Sequence, residues 1–329
     1  MVLETIYVAR HGFRYILLAL PLTPSHSLSL TLSRAFARSN RLSWETPIWT
    51  SPTGVPRDPP LSAHGVDQAN ELGAFLKREL GVTEDEAAKG EVLVLSSPLY
   101  RCVQTATPAA EALGLPILIE PGLGEWYLPV LRGLHPALST ASFLQSFFPL
   151  VSTSAPSSST RSASWSPLLT PPRTGETMHQ IHLRCLGLLR LLVPELERRG
   201  VRKVVLFSHA ATVIALSRAL AGDLQAVEEG GEGKEWRDEE RLACRAATCS
   251  VSKFERVRND REEEGAMGRW KREWNGQTDF LQKGEEDQAE DGILSDGTEA
   301  APTKSDNYKE LPTAAPKETV AKEKLEGKL

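Results

Sequence analysis

The chain has little sulfur, few aromatic rings and no long apolar run. Four cysteines are scattered over 329 residues, too few for a disulfide scaffold, which points to a reducing compartment. The N-terminal apolar stretch at residues 15–22 is broken by Pro21 and followed by Pro24. It falls short of the roughly 18 residues that span a bilayer, and no basic segment precedes it. Neither a membrane association nor a signal peptide is therefore expected, and the expected location is cytoplasmic or nuclear. A basic surplus is also missing. The net charge is −5, whereas direct nucleic-acid binding needs a concentrated basic face. Aromatics make up only 6%, while 22 prolines and 24 glycines assign part of the length to loops or tail. The remainder, in a chain 40% hydrophobic and 25% charged, suffices for a sizeable core.

Four short aliphatic runs, at residues 5–8, 92–95, 116–119 and 204–207, lack polar alternation. They read as strands covered on both faces. Between them lie amphipathic helical patterns. Residues 62–80 place Val66, Ala69, Leu72, Leu76 and Leu80 on one stripe, with Ser62 as N-cap. Residues 177–199 do the same with Ile181, Leu188, Leu192 and Leu196, and 210–220 follow the fourth strand almost without a connection. A last strand is expected within 248–256. Strands alternating with helices predict an α/β fold, a three-layer sandwich with a mostly parallel central sheet and helices on both faces.

Three segments break this pattern. Residues 15–38 are rich in Leu and Ser and carry no acidic residue. Residues 152–166 are dominated by Ser, with Thr and Pro, and read as a surface loop. From residue 284 the apolar periodicity stops: seven acidic and no basic residues fall within 285–299, and a Lys-, Glu-, Pro- and Ala-rich stretch follows. Such a sequence buries too little surface to offset ordering entropy, so 284–329 reads as a disordered charged tail behind a domain of residues 1–283.

The polar residues that follow the strands are the informative ones. The first strand runs into Arg10-His11-Gly12-Phe13-Arg14, the second into Ser96-Ser97-Pro98-Leu99-Tyr100-Arg101 with Gln104-Thr105 beyond, and the fourth into Ser208-His209. In an open α/β sheet the carboxyl ends of the strands form the ligand crevice. Two histidines and three arginines would meet there, and the partner that suits them is an anion with several oxygens, since guanidinium matches phosphate geometry. A Ser-His hydrolase triad is disfavoured, because no Gly-x-Ser-x-Gly elbow is present.

Taken together, Arg10-His11-Gly12, the Ser-Ser-Pro-x-x-Arg-x-x-Gln-Thr run at 96–105 and the late strand ending at His209 resemble the histidine phosphatase (phosphoglycerate mutase-like) superfamily over roughly residues 3–280. Arg14 and the run Glu120-Pro121-Gly122-Leu123-Gly124-Glu125-Trp126 are similar to its eukaryotic protein-phosphatase-like branch rather than to the glycolytic mutases. Ser51-Pro52-Thr53-Gly54, Gly175-Glu176-Thr177 and Trp274-Asn275-Gly276-Gln277-Thr278-Asp279-Phe280 resemble fungal members of the type found as 55 kDa subunits of transcription factor tau, an RNA polymerase III assembly factor.

The resemblance implies a phosphoglycerate mutase-like fold and a phosphomonoester hydrolase that needs no metal or cofactor. It makes His11 the nucleophile, Arg10, Arg14 and Arg101 the phosphate clamp, His209 the partner of the transferring group and Glu125 the general acid. Beside a phosphate and next to Leu123 and Trp126, Glu125 is expected to have a raised pKa. The competing reading keeps the same fold as a non-catalytic or weakly active subunit of a transcription-factor complex; a mutase activity fits less well. In the family's pattern Ser-Asn follows the second arginine directly, whereas here Ser39-Asn40 comes after residues 15–38. That segment therefore reads as an insertion, the translated-intron case included. His179 and His182, three apart on a helix, are expected on a solvated face rather than at a metal. Cys244 and Cys249 are expected to be ordinary thiols, and Trp270 and Trp274 packing anchors. The sequence leaves the substrate open, since nothing in residues 127–175 reads as a specificity code.

Overall fold

The four aliphatic runs form the middle of a single sheet. The computed structural model describes residues 2–14, 51–156, 164–222, 244–257 and 267–286. The proposed insertion at 15–38, Ser39-Asn40, residues 157–163 of the Ser-rich loop and the tail from 287 fall outside these. In chain order the strands are β1 (Thr5–Arg10), β2 (Val92–Ser96), β3 (Ile117–Ile119), β4 (Val151–Ser152), β5 (Lys203–Ser208), β6 (Val251–Arg256) and β7 (Trp270–Gln277). The helices are α1 (Ala63–Leu80), α2 (Glu84–Lys89), α3 (Tyr100–Leu113), α4 (Ala141–Leu144), α5 (Met178–Arg199) and α6 (Ala210–Ala221). Across the sheet the order is β4-β3-β2-β5-β1-β6-β7. Neighbours from β4 to β1 are parallel, and β6 runs antiparallel to both β1 and β7.

Alternation along the strands sorts their side chains between two cores. Ile6, Val8, Leu93, Leu95, Val204 and Leu206 join the core that also holds side chains of α5 and α6. Tyr7, Ala9, Val92, Val94, Val205 and Phe207 join the core of α1 and α3 on the other face. The expected three layers with a mostly parallel sheet are therefore present.

Local signals start and stop the helices. The Ser62 side chain accepts from Gly65 N to begin α1, and Gly81 ends it in the left-handed region. Thr177 begins α5 with a full capping box to Gln180. His182 departs from expectation. It is buried, with Nδ1 2.8 Å from Met178 O and Nε2 3.0 Å from Arg218 Nη1. Its face of α5 is the one against which α6 packs, so burial leads in lowering its pKa to about 4. Trp270 is buried and Trp274 packs against Tyr7 and Phe75, but both stand on a strand. All four cysteines are free and buried.

Glycines let the loop after β1 lie directly on α1. A Cβ at Gly12 would stand 2.7 Å from Gly65 O, and one at Gly65 would fall inside the radius of the Phe13 carbonyl. Gly65→Ala is expected to destabilise the protein by about 1–3 kcal/mol through overpacking. A urea melt checks the effect; an unchanged midpoint would mean that the loop gives way freely.

Candidate active site

Strand register places the polar residues. On adjacent parallel strands Arg10 pairs with Ser208, and Ser96 with Phe207, so the residues that follow (His11, His209 and Ser97) emerge side by side. His11 N donates to Ser208 O at 3.0 Å, and Ser97 N donates to Phe207 O at 3.0 Å. His209 is the N-cap residue of α6 but makes no side-chain cap bond, and its ring turns into the crevice. Arg101 sits in the first turn of α3. That helix has Leu99 as N-cap and no cap of its own. The missing acceptor comes from a distant loop: Asp58 Oδ1 accepts from Tyr100 N at 2.7 Å, while Thr53 Oγ1 donates to Oδ2 at 3.0 Å. The turn after β3 (Pro121–Leu123) delivers Glu125 from the fourth direction.

Arg101 is the hub. Its Nε donates to His11 Nε2 at 3.3 Å, and its Nη2 donates to Glu125 Oε2 at 2.9 Å and lies 3.2 Å from His209 Nδ1. Its Nη1 lies 3.8 Å from Asp58 Oδ1. His209 Nδ1 also stands 3.3 Å from Glu125 Oε2, and its Nε2 shares a hydrogen bond with Ser97 Oγ at 2.8 Å. Arg10 Nη1 donates to Ala246 O at 2.7 Å. His11 Nδ1 is 2.7 Å from Gly12 O, so that nitrogen carries the proton and Nε2 keeps its lone pair. Arg10, His11, Arg101, Glu125 and His209 are all buried, and Arg14 is half-buried at the edge. The structure thus brings the six sequence-predicted residues into one cluster.

The electrostatics follow from this packing. Burial first, then the charges of Arg101, His209, Arg10 and Arg14, hold the His11 pKa well below its usual value. Burial also lowers that of His209, to about 4. The raised pKa expected of Glu125 belongs to the site with phosphate beside it; in the free protein the balance is different. Burial does push it up, but His209, Arg101 and Arg14 together outweigh that and hold it well below the carboxylate range. In the free protein it is a carboxylate. Asp58 has a weaker ion pair, and burial raises it to about 6. Tyr127 joins the same field, its hydroxyl pushed up to about 12 chiefly by burial. Three guanidiniums (Arg10, Arg14, Arg101) thus meet two carboxylates (Glu125, Asp58) among the described residues, a grouping suited to a phosphate.

Sequence reasoning missed Asp58, Ser97 as a partner of His209, and Tyr127. For Asp58 a faint signal existed, since a helix beginning at Leu99-Tyr100 has no local side chain to cap it.

Beside Glu125 lies a cavity of about 510 Å³ with Pro121, Tyr127, Leu138, Trp165 and Pro171 among its walls. Glu125 lines it, whereas His11, Arg101 and His209 do not. A metal is poorly served here. His11, Glu125 and His209 have ligand atoms within 4.8 Å of one another, but the Arg101 guanidinium already contacts all three and supplies the positive charge an ion would bring. The His179–His182 pair belongs to no group of three metal-binding side chains among the described residues.

Residues 50–229 match the profile of the family described as the histidine phosphatase superfamily (branch 1). The transcription factor tau 55 kDa subunit of Saccharomyces cerevisiae is 30% identical over 87% of this chain and 58% of its own length. An ecdysteroid-phosphate phosphatase of Drosophila melanogaster is 42% identical over 23% of this chain and 10% of its own length. The chain therefore spans little more than half of one curated relative and a tenth of the other. Among solved structures, the ecdysone phosphate phosphatase of Bombyx mori in complex with tungstate aligns with a TM-score of 0.47 and 20% identity, over 76% of this chain and 88% of that one. Among the described residues no helix is long and apolar enough to cross a membrane.

Proposed function

The chain belongs to the histidine phosphatase superfamily, and from that premise we propose that it hydrolyses phosphomonoesters through a phosphohistidine on His11. One observation carries the reading: a histidine with a free Nε2 and a fixed Nδ1–H stands inside a cluster of buried guanidiniums. His11 Nε2 attacks phosphorus, the P–O ester bond breaks, and the departing oxygen takes a proton from Glu125. Glu125 starts as a carboxylate, so the proton must arrive with the substrate. A phosphate monoanion brings one, and its charge draws Arg101 away from Glu125. In the second half Glu125 takes a proton from water, which attacks the phosphohistidine and releases phosphate. Arg10, Arg14 and Arg101 hold the equatorial oxygens, and His209 steadies the group in transfer.

The cavity beyond Glu125 supports a seat for the leaving alcohol, since the residue that protonates the alcohol lines it. The basic test is hydrolysis of an aryl phosphate without added metal by the full chain and by a form lacking residues 15–38. Turnover only after deletion would assign the segment a blocking role; none in either form would reject the reading.

The pH profile is the next expected result. His11 is neutral well below pH 6.5, so mild acid leaves the nucleophile intact. The proton that Glu125 passes on arrives with the phosphate monoanion, whose share falls as pH rises through the second phosphate pKa of about 6. On benzyl phosphate, turnover at pH 5.5 should exceed that at pH 8 by about tenfold or more; a rate that climbs toward pH 8 would remove Glu125 from the acid role.

The likeness to the yeast tau subunit over most of this chain supports a second reading. In it the domain serves as a subunit of a transcription-factor complex, of nuclear or cytoplasmic residence, with catalysis secondary. Co-purification from cells of a tagged His11→Ala form with the same partners as wild type would favour it.

A further inference from the structure

The Gly175-Glu176-Thr177 motif has no place in the chemistry above, yet Glu176 is buried in an ion pair with Arg184. Arg184 Nε donates to both carboxylate oxygens, at 2.9 and 3.0 Å. Its Nη1 reaches past the pair and donates to Gly122 O at 2.6 Å and to Gly124 O at 3.2 Å. Thr212 Oγ1 donates to Gly124 O at 2.8 Å, and Ser208 Oγ to Leu123 O at 2.7 Å. Three successive carbonyls just before Glu125 are thus fixed by side chains of α5, β5 and α6. On the other side of Glu125, Glu176 N donates to Tyr127 O at 2.8 Å and Trp126 Nε1 donates to Glu176 O at 2.7 Å.

We propose that Arg184, anchored by Glu176, is the positioning residue that sets Glu125 for proton transfer to the leaving oxygen. The assignment rests on the phosphatase reading. Among the described residues the hydrogen bonds of Arg184 go to Glu176 and to the backbone of the 122–124 turn, and none goes to Arg10, His11 or Arg101. Its buried Nη2 finds no acceptor among the described residues, a cost that an apolar side chain in its place would not carry. Lysine cannot substitute, since one ammonium lacks the fork that serves the carboxylate and two carbonyls together.

A general acid matters in proportion to how poor the leaving group is, and that supplies the test. Wild type, Arg184→Lys and Thr212→Val are compared on 4-nitrophenyl phosphate, whose leaving group needs no proton, and on benzyl phosphate, whose leaving group does. Inhibition by orthovanadate reports the phosphate clamp separately. Arg184→Lys should lower kcat on benzyl phosphate by about ten- to a hundredfold and on the nitrophenyl ester by less than about threefold, with vanadate affinity unchanged. Thr212→Val removes one donor to Gly124 O and leaves the ion pair in place, so it should give the same asymmetry more weakly even if Arg184→Lys fails to fold. Equal losses on both esters, or no loss on either, would overturn the positioning role while wild-type turnover stands. Wild type inactive on both esters, with and without residues 15–38, would overturn the phosphatase reading and this role with it.

Discussion

Alanine at His11 is expected to reduce turnover of an aryl phosphate on the order of 10⁴-fold or more, the scale seen when a nucleophile acting as part of a unit is removed. The expectation comes from geometry that no neighbour can replace. His11 Nδ1 is tied to Gly12 O, and its Nε2 stands 3.3 Å from Arg101 Nε. The other imidazole, His209, is 5.3 Å away between ring centroids in an edge-on arrangement. Both its nitrogens are engaged, by Ser97 on one side and by Arg101 and Glu125 on the other. Cys102 lies beside His209, but its thiol is buried and pushed far above its usual pKa chiefly by that burial, so it supplies no thiolate. Stability should change little by comparison, about 1–2 kcal/mol for the hydrogen bonds lost. Acid-labile phosphate label on wild type, absent from His11→Ala, would complete the case. Label that persists on the variant, or turnover within a hundredfold of wild type, would place the nucleophile elsewhere.

The sequence made the centre of the sheet legible because strands covered on both faces carry no polar alternation, as at 92–95 and 204–207. It also made α1 legible, since Ser62 caps a clean apolar stripe. Other elements give weaker signals. The α3 helix contains Pro108 and borrows its cap from Asp58, so no local feature marks its start. Strand β7 is an edge strand in which two tryptophans stand among charged residues, and β4 is two residues long. The same division holds in the site. His11, Arg101 and His209 were readable because each follows a strand by a few residues. Asp58 and Tyr127 reach the site from loops, where only the tertiary fold sets position. Of the influences on Glu125, burial is legible in its apolar neighbours, whereas the approach of His209 at 3.3 Å and of Arg101 at 2.9 Å is not.

That approach makes Arg101→Met the second large effect. Activity should fall about a thousandfold or more, the scale of removing an arginine that stabilises the transferring phosphoryl group. Unlike His11→Ala, this variant should also lose stability, by about 3–5 kcal/mol at neutral pH, because a buried carboxylate is left without its partner. The sign of the pH dependence follows. In wild type the folded-state pKa of Glu125 is depressed, so its ionisation stabilises the fold above the ordinary carboxylate range and that contribution is lost as pH falls through the folded value. Without Arg101, only His209 and Arg14 are left to oppose burial at Glu125, so its depression shrinks, and Asp58, already raised to about 6, loses a cation as well. Both groups then hold protons more readily in the folded state than they do in wild type, so the variant is penalised most at high pH and least in acid. The Tm gap between wild type and Arg101→Met should therefore be widest near pH 8 and narrow toward pH 5. A gap that stays constant would mean that Arg101 acts through packing alone. A gap that widens in acid would mean that Glu125 is already protonated in the folded wild type, and the proton would then not need to arrive with the substrate.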